Sequence, residues 1–217
     1  MIDWTLIDTV LLDMDGTLLD LHFDNHFWLT HLPRRYAEHH GCSLPEAQQI
    51  LTQLSKSLYG TLDWYCLDFW SARIDMDIEA LKREVRHLIR FRPGTLQFLA
   101  FLQQQSKRTL LVTNAHPKAL QLKLDASGLD HHLPQRISSH DLQLAKENAG
   151  FWQRLRLHAD LDYTRTLFID DSLDVLRRAR AEGLPHTLQI LQPDTTQAPR
   201  AASEFPGVLH FEELLPA

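Results

Sequence analysis

The sequence has little cysteine and no apolar run long enough to cross a bilayer. Only Cys42 and Cys66 occur among 217 residues, which excludes a small disulfide-stapled scaffold and suits a reducing compartment. With no signal-peptide pattern and no apolar stretch of about 20 residues, the expectation is a cytoplasmic protein with no membrane partner. An excess of positive charge is also missing: 22 Lys and Arg stand against 28 Asp and Glu, a formal net charge of −6. Proteins that grip a nucleic-acid backbone carry a basic face, so no nucleic-acid partner is expected. The 13 histidines fall as scattered singles and as the pairs His39-His40 and His131-His132. None has zinc-ligand spacing, and most read as surface residues. Internal repeats and low-complexity tracts are absent.

What is present is an ordinary globular composition, 44% hydrophobic and 23% charged, in a chain long enough for one large domain or for a domain carrying a smaller inserted one. Val10, Leu11 and Leu12 form a continuous apolar run, the mark of a strand buried on both faces. Four further β-rich runs follow at Thr109–Thr113, Arg136–Ser139, Thr166–Asp170 and His186–Leu191. Between them lie helical patterns: one begins near Pro93, one covers Pro117 to Ser127 and stops at Gly128, and one covers Ser172 to Glu182 and stops at Gly183. The alternation predicts an α/β fold with a parallel sheet and right-handed crossovers. Residues 19–92 break the pattern. Their aromatic and leucine spacing is helical throughout, with one helix from Leu44 capped by Ser43 and another from Asp77 to Ile89, so a helical insertion follows the first strand. Residues 192–207 read as a long surface loop before a short last helix.

The stretch Asp13-Met-Asp-Gly-Thr17 places two carboxylates two residues apart where the first strand ends. An extended chain would point them alike, and the turn at Met14 to Gly16 can bring Asp13 and Asp15 toward a common point, where like charges repel unless a cation or a shared proton intervenes. A capped turn with each Asp on local amides would also explain this stretch taken alone. Three more polar clusters weigh against that: Thr113-Asn114 after the second strand, Lys146 beyond the third and Asp170-Asp171 at the end of the fourth. In an open α/β sheet such groups converge in the crevice outside the strands' carboxyl ends.

In this order the four clusters resemble the motifs of the haloacid-dehalogenase-like (HAD) hydrolase superfamily. The resemblance spans the chain and implies a Rossmann-like core, residues 1–18 and 93–217, with a small all-helical C1-type cap, residues 19–92, inserted after the first strand. Leu12–Leu21, Phe23-Asp-Asn25, Asp63–Asp68, Thr113–Pro117 and Arg165–Ser172 resemble more closely the purine 5′-nucleotidases (GMP/IMP) of that superfamily. The roles implied are Asp13 as nucleophile forming an aspartyl-phosphate and Asp15 as general acid and base. Mg²⁺ would be held by Asp13, the Asp15 backbone carbonyl, Asp171 and Asp170. Gly16 and Thr17 of the turn, with Thr113, Asn114 and Lys146, would bind phosphate, preorganised donors being worth about 3 kcal/mol each. Lys146 would also keep Asp13 ionised.

One departure from the family concerns the residues after the second acid: Asp174 stands three positions on and Val175 four, so Asp174 reads either as a site residue or as a helix-start carboxylate favouring the helix dipole. Specificity is expected from the cap, where Trp64, Tyr65, Phe69 and Trp70, with His22, Asp24, Asn25 and His26, either meet a purine or serve as cap core. The expected partner is a small phosphomonoester, a purine nucleotide by resemblance. A sugar phosphatase or phosphomutase is the nearest alternative; a dehalogenase and a non-enzymatic phospho-receiver are further ones.

Overall fold

The computed structural model describes residues 2–216. Six parallel strands form one sheet in the order β3-β2-β1-β4-β5-β6. They are β1 (Thr9–Leu12), β2 (Arg108–Thr113), β3 (Arg136–Ser138), β4 (Thr166–Asp170), β5 (His186–Ile190) and β6 (Gly207–Val208). The expected strands are all found. β6 was not foreseen, because two residues are too few to show a period of two; they pair only as Gln189 with Gly207 and Ile190 with Val208.

Both sheet faces are covered, and the strand period decides which residue serves which face. Val10 and Leu12 of β1 join Leu111 of β2 and Leu167 and Ile169 of β4 in one core. Leu11 joins Leu110, Val112 and Phe168 in the other. The first core is closed by α7 (Thr95–Gln104) through Phe98 and Leu102 and by α8 (Pro117–Ser127) through Leu120 and Leu124. The second is closed by α9 (Phe151–His158) through Phe151, Trp152 and Leu155 and by α10 (Leu173–Ala181) through Val175, Leu176 and Ala179. The helix near Pro93 begins only at Thr95, because Gly94 has φ 75° and cannot be its first helical residue. α8 stops where Gly128 takes φ 70°.

The segment between β1 and α7 is helical: α1 (His22–His26), a π turn (Phe27–His31), α2 (Leu32–His40), α3 (Leu44–Leu58), α4 (Leu62–Tyr65), α5 (Leu67–Ile74) and α6 (Ile78–Glu84). Ser43 caps α3 with a full capping box to Glu46, and Asp77 caps α6. α6 ends sooner than expected, since Val85 leaves the helical region with ψ 13° and a 3₁₀ turn over Arg86–Leu88 follows. The expected last helix is a 3₁₀ turn at Phe211–Leu214. Phe23, Phe27, Leu51, Leu67, Trp70 and Ile78 bury their apolar sides against one another and run on into the first sheet core.

The chain enters and leaves this helical segment side by side. Asp20 N–H donates to Arg90 O at 2.9 Å and Arg92 N–H to Leu18 O at 3.0 Å, around an antiparallel bridge between Leu19 and Phe91. The fully buried Arg92 guanidinium donates to Gln192 O at 2.8 Å, Leu209 O at 2.6 Å and Thr17 O at 3.2 Å, so one cation satisfies carbonyls from three segments. Removing it strands those carbonyls away from water. Arg92→Met should lower the unfolding free energy by about 3 kcal/mol, the scale of one or two buried acceptors left without charged donors, read as the shift in urea midpoint at unchanged slope. A shift within error of zero would show that water reaches these carbonyls.

Candidate active site

The sheet order reverses between β1 and β4, and the crevice there opens at the strands' carboxyl ends. Asp13 leaves the end of β1 with its amide on Ile169 O at 3.0 Å, which sets it beside Asp170 at the end of β4. Lys146 lies between them: Nζ donates to Asp13 Oδ1 at 2.5 Å, to Asp170 Oδ2 at 2.7 Å and to Val112 O at 3.2 Å. Its backbone is fixed on both sides, the amide donating to Asn114 Oδ1 at 2.9 Å and the carbonyl accepting Trp152 Nε1–H at 2.9 Å. Asn114 in turn donates to Glu147 Oε2 at 2.9 Å, and Tyr65 donates to Glu147 Oε1 at 2.8 Å. Thr113 Oγ1 accepts the Ala115 amide at 3.0 Å.

Ligand oxygens of Asp13, Asp170 and Asp171 lie within 4.8 Å of one another, and all three residues are buried. Arg200 Nη1 reaches Asp171 Oδ2 at 3.1 Å. Burial pushes Asp13 up to about 6, Lys146 pulling against it. Asp170 is raised to about 6 by burial, which outweighs Lys146, and Asp171 to about 6 by burial and the Asp13 charge. An all-oxygen set of crowded carboxylates fits a hard divalent cation, whose charge would relieve the repulsion.

Asp15 is held differently. Lys123 Nζ, buried on α8, donates to Asp15 Oδ1 at 2.6 Å and to Asp24 Oδ2 at 2.7 Å, and Asp24 Oδ1 accepts from Lys82 Nζ at 2.8 Å. Lys82 is buried over the Phe27 ring, 4.5 Å from its centroid. Burial raises Asp15 to about 6 despite Lys123, with the Asp24 and Asp13 charges adding to the rise. Burial would raise Asp24 too, but Lys123 and Lys82 together overcome it and hold Asp24 at about 2. Two carboxyls of one turn therefore sit in separate electrostatic settings.

A cavity of about 640 Å³ opens over these groups; Asp13, Asp15, Thr113, Asn114, Lys146, Asp170 and Asp171 line its floor. Asp24, Trp28, Ser55, Tyr59, Trp64 and Trp70 line it from the helical side. Such an arrangement can pair a nucleophilic carboxylate with a neighbouring proton donor and with cations facing a bound anion.

A family model described as haloacid dehalogenase-like hydrolase matches residues 7–183. The chain belongs to that family. It is 38% identical over 216 residues to the GMP/IMP nucleotidase YrfG of Escherichia coli (strain K12), covering 100% of this chain and 97% of the relative. Among solved structures it resembles a HAD phosphatase from Thermococcus onnurineus, TM-score 0.79 at 21% identity with 96% of both chains covered. An L-2-haloacid dehalogenase superposes with TM-score 0.65 at 18% identity over 96% of this chain and 97% of that one. The sheet with flanking helices is thus the fold of HAD enzymes.

Of the residues singled out from the sequence of this HAD hydrolase, Gly16 and Thr17 are not brought to the cavity wall. The Gly16 amide donates to Leu19 O at 2.8 Å, and the glycine has φ 85°, with room for no Cβ because Asp171 Cγ and Pro193 Cβ would lie 2.9 Å away. Thr17 is fully buried, and its hydroxyl lacks a partner among the described residues. Both shape the turn that aims Asp13 and Asp15. Asp174, near the start of α10, lines the cavity rim and accepts from Tyr59 Oη at 3.1 Å. Trp64, Tyr65, Trp70, Asp24 and Asn25 line the cavity, whereas Phe69, His22 and His26 do not. Lys82, Lys123 and Glu147 were not foreseen: each is a single charged residue within a helical or loop pattern, and only the fold brings them to the site.

The three crowded carboxyls generate a test. Their pKa values stand above the unfolded value of 3.8, so in metal-free protein their charge destabilises the fold above about pH 6, and that cost fades as pH falls through 6 toward the unfolded value. Adding Mg²⁺ to metal-free protein should raise Tm at about pH 7.5 and raise it less at about pH 5, where protons compete for the same oxygens. Equal shifts at both values, or the same shift in Asp171→Asn, would place the ion elsewhere.

Proposed function

We propose that this hydrolase is a Mg²⁺-dependent phosphomonoesterase, a 5′-nucleotidase acting on purine nucleotides, with residues 1–18 and 93–217 as the catalytic core and residues 19–92 as a cap. The observation that carries the reading is the convergence of Asp13, Asp15, Lys146, Asn114 and the Asp170-Asp171 pair on one cavity roofed by aromatic side chains of the helical segment.

In this reading Asp13 attacks phosphorus to form an aspartyl-phosphate, while Asp15 gives its proton to the leaving ester oxygen. A pKa raised to about 6 leaves Asp15 able both to hold a proton and to release it near neutral pH. Water then attacks the acyl-phosphate; Asp15 takes the water's proton, inorganic phosphate leaves and Asp13 is regenerated. The Thr113 and Asn114 side chains would face the transferring oxygens, and Lys146, whose three donors go to Asp13, Asp170 and Val112 O, would contribute its charge. Mg²⁺, held by Asp13, Asp170 and Asp171, would offset the charge of the incoming phosphate. Asp15 would contribute its backbone carbonyl, since its carboxylate is engaged by Lys123.

The purine assignment is supported by the 38% identity to a GMP/IMP nucleotidase and by the roof chemistry. Trp64 Nε1–H is already bonded to Ser55 Oγ and Trp70 Nε1–H to Trp64 O, both at 2.9 Å, so the half-buried Trp64 indole offers a ring face rather than a donor, with the buried Trp70 holding it from behind. Ring faces suit a planar base. Closing the helical segment over the site would exclude water and position the ester.

The experiment is phosphate release from a panel of 5′-nucleotides and sugar phosphates with Mg²⁺, beside Asp13→Asn. GMP and IMP should lead, and Asp13→Asn should lose on the order of 10⁴-fold or more in kcat. Leading sugar phosphates would leave the chemistry intact and overturn the substrate; turnover surviving in Asp13→Asn would overturn the nucleophile.

A further inference from the structure

The 13 histidines read from the sequence as having no metal-binding spacing, yet the fold gathers two of them with one of the two cysteines. Ligand atoms of Cys66, His116 and His140 lie within 4.8 Å of one another. Cys66 caps the start of α5 in the helical segment, His116 precedes α8, and His140 follows β3. The ligands thus come from both sides of the boundary between the helical segment and the sheet. The His116 and His140 rings meet edge to face with centroids 4.9 Å apart.

Each donor is oriented and none is consumed by a strong bond. Among the described residues Cys66 Sγ accepts only the Phe69 amide, at 3.5 Å. His116 Nδ1 accepts the Lys118 amide at 3.4 Å, which leaves the ring proton on Nε2, 3.8 Å from an Asp68 carboxylate oxygen; ligation through either ring nitrogen gives up only that long amide contact. His140 Nδ1 lies 3.4 Å from Ser138 Oγ, while its Nε2 is buried with no hydrogen-bond partner among the described residues. A buried ring nitrogen without a partner bears a desolvation cost that an ion would remove.

We propose that Cys66, His116 and His140 form a second metal site, selective for a soft divalent ion such as Zn²⁺ and distinct from the all-oxygen cluster of Asp13, Asp170 and Asp171. One thiolate and two imidazoles are the donor set of a tetrahedral zinc site with its fourth position open, whereas the carboxylate cluster suits Mg²⁺. Binding transfers the Cys66 thiol proton to solvent, and one metal–sulfur and two metal–nitrogen bonds replace bonds from the ion to water, which is released. Closing a separation of up to 4.8 Å to bonding distance draws Cys66 toward His116 and His140. The ion therefore ties the helical segment to the sheet. It would slow turnover, a consequence that rests on the reading of residues 19–92 as a cap that must open.

Co²⁺ titrated into the protein in excess Mg²⁺ tests the site without reference to activity. The wild type should develop a thiolate-to-cobalt charge-transfer band that one equivalent of Zn²⁺ abolishes. Cys66→Ser should lack the band, His140→Ala should bind at least about tenfold more weakly, the scale at which even an outer partner of a metal ligand acts, and Cys42→Ser should match the wild type. No band in the wild type, or a band that persists in Cys66→Ser, would overturn the site. Where GMP or another ester is turned over, Zn²⁺ should inhibit the wild type and not Cys66→Ser. Equal inhibition of both would overturn the clamping consequence while leaving the cobalt result to decide the site.

Discussion

The contact on which the rest of the site depends is the Lys146 ammonium between the Asp13 and Asp170 carboxylates. Three buried acids at the ends of two adjacent strands would drive one another to protonate, and the nucleophile role proposed for Asp13 needs its ionised form. The lysine works against burial at Asp13, and the two carboxylates in turn hold Lys146 charged against a burial that favours its neutral form. Its position is over-determined, because Asn114 and Trp152 fix its backbone on either side. A lysine on a loop is thereby placed as firmly as a strand residue.

A second cationic chain runs the other way, from the sheet into the helical segment. Asp15, Lys123, Asp24 and Lys82 alternate in sign, and the last lysine is backed by Phe27 and Trp28. Asp15 and Asp24 compete for one ammonium, so the position of the helical segment bears on how strongly Lys123 holds Asp15. Neighbouring acids on one turn are in this way anchored to different lysines on different elements. Both stand near 6, but each answers to a different cation, so a change at Lys146 bears on Asp13 and a change at Lys123 on Asp15.

The fold was legible because its signals are local: continuous apolar strands, Pro93 near a helix start, Gly128 past a helix end and Ser43 as a cap each act within a few residues. The acidic motif and the clusters at Thr113, Lys146 and Asp170 were legible because a parallel sheet brings every strand's carboxyl end to one edge. What could not be read was pairing across elements. Lys123 and Lys82 look in sequence like solvated helix lysines, and both prove buried. The same reason hid Cys66, His116 and His140, whose grouping is visible only after the helical segment is laid against the sheet. Gly16 and Thr17 show the converse case, a motif whose position was evident but whose atoms turn inward to build the turn.

The likeness of the fold to both a phosphatase and a dehalogenase means that the sheet, the crossovers and the helical segment do not choose the reaction. The choice lies in a few atoms. A halide leaves without a proton and an uncharged carbon centre needs no counter-cation, so neither a proton donor beside Asp13 nor a third crowded carboxylate would serve such chemistry. An ester oxygen needs the first, and a dianionic phosphate approaching an aspartate needs a cation that the second can hold. Asp15, poised near 6 on Lys123, and Asp171, set against Asp13 and Asp170, cost stability where they stand. In the phosphomonoesterase reading proposed above, that cost serves phosphoryl transfer.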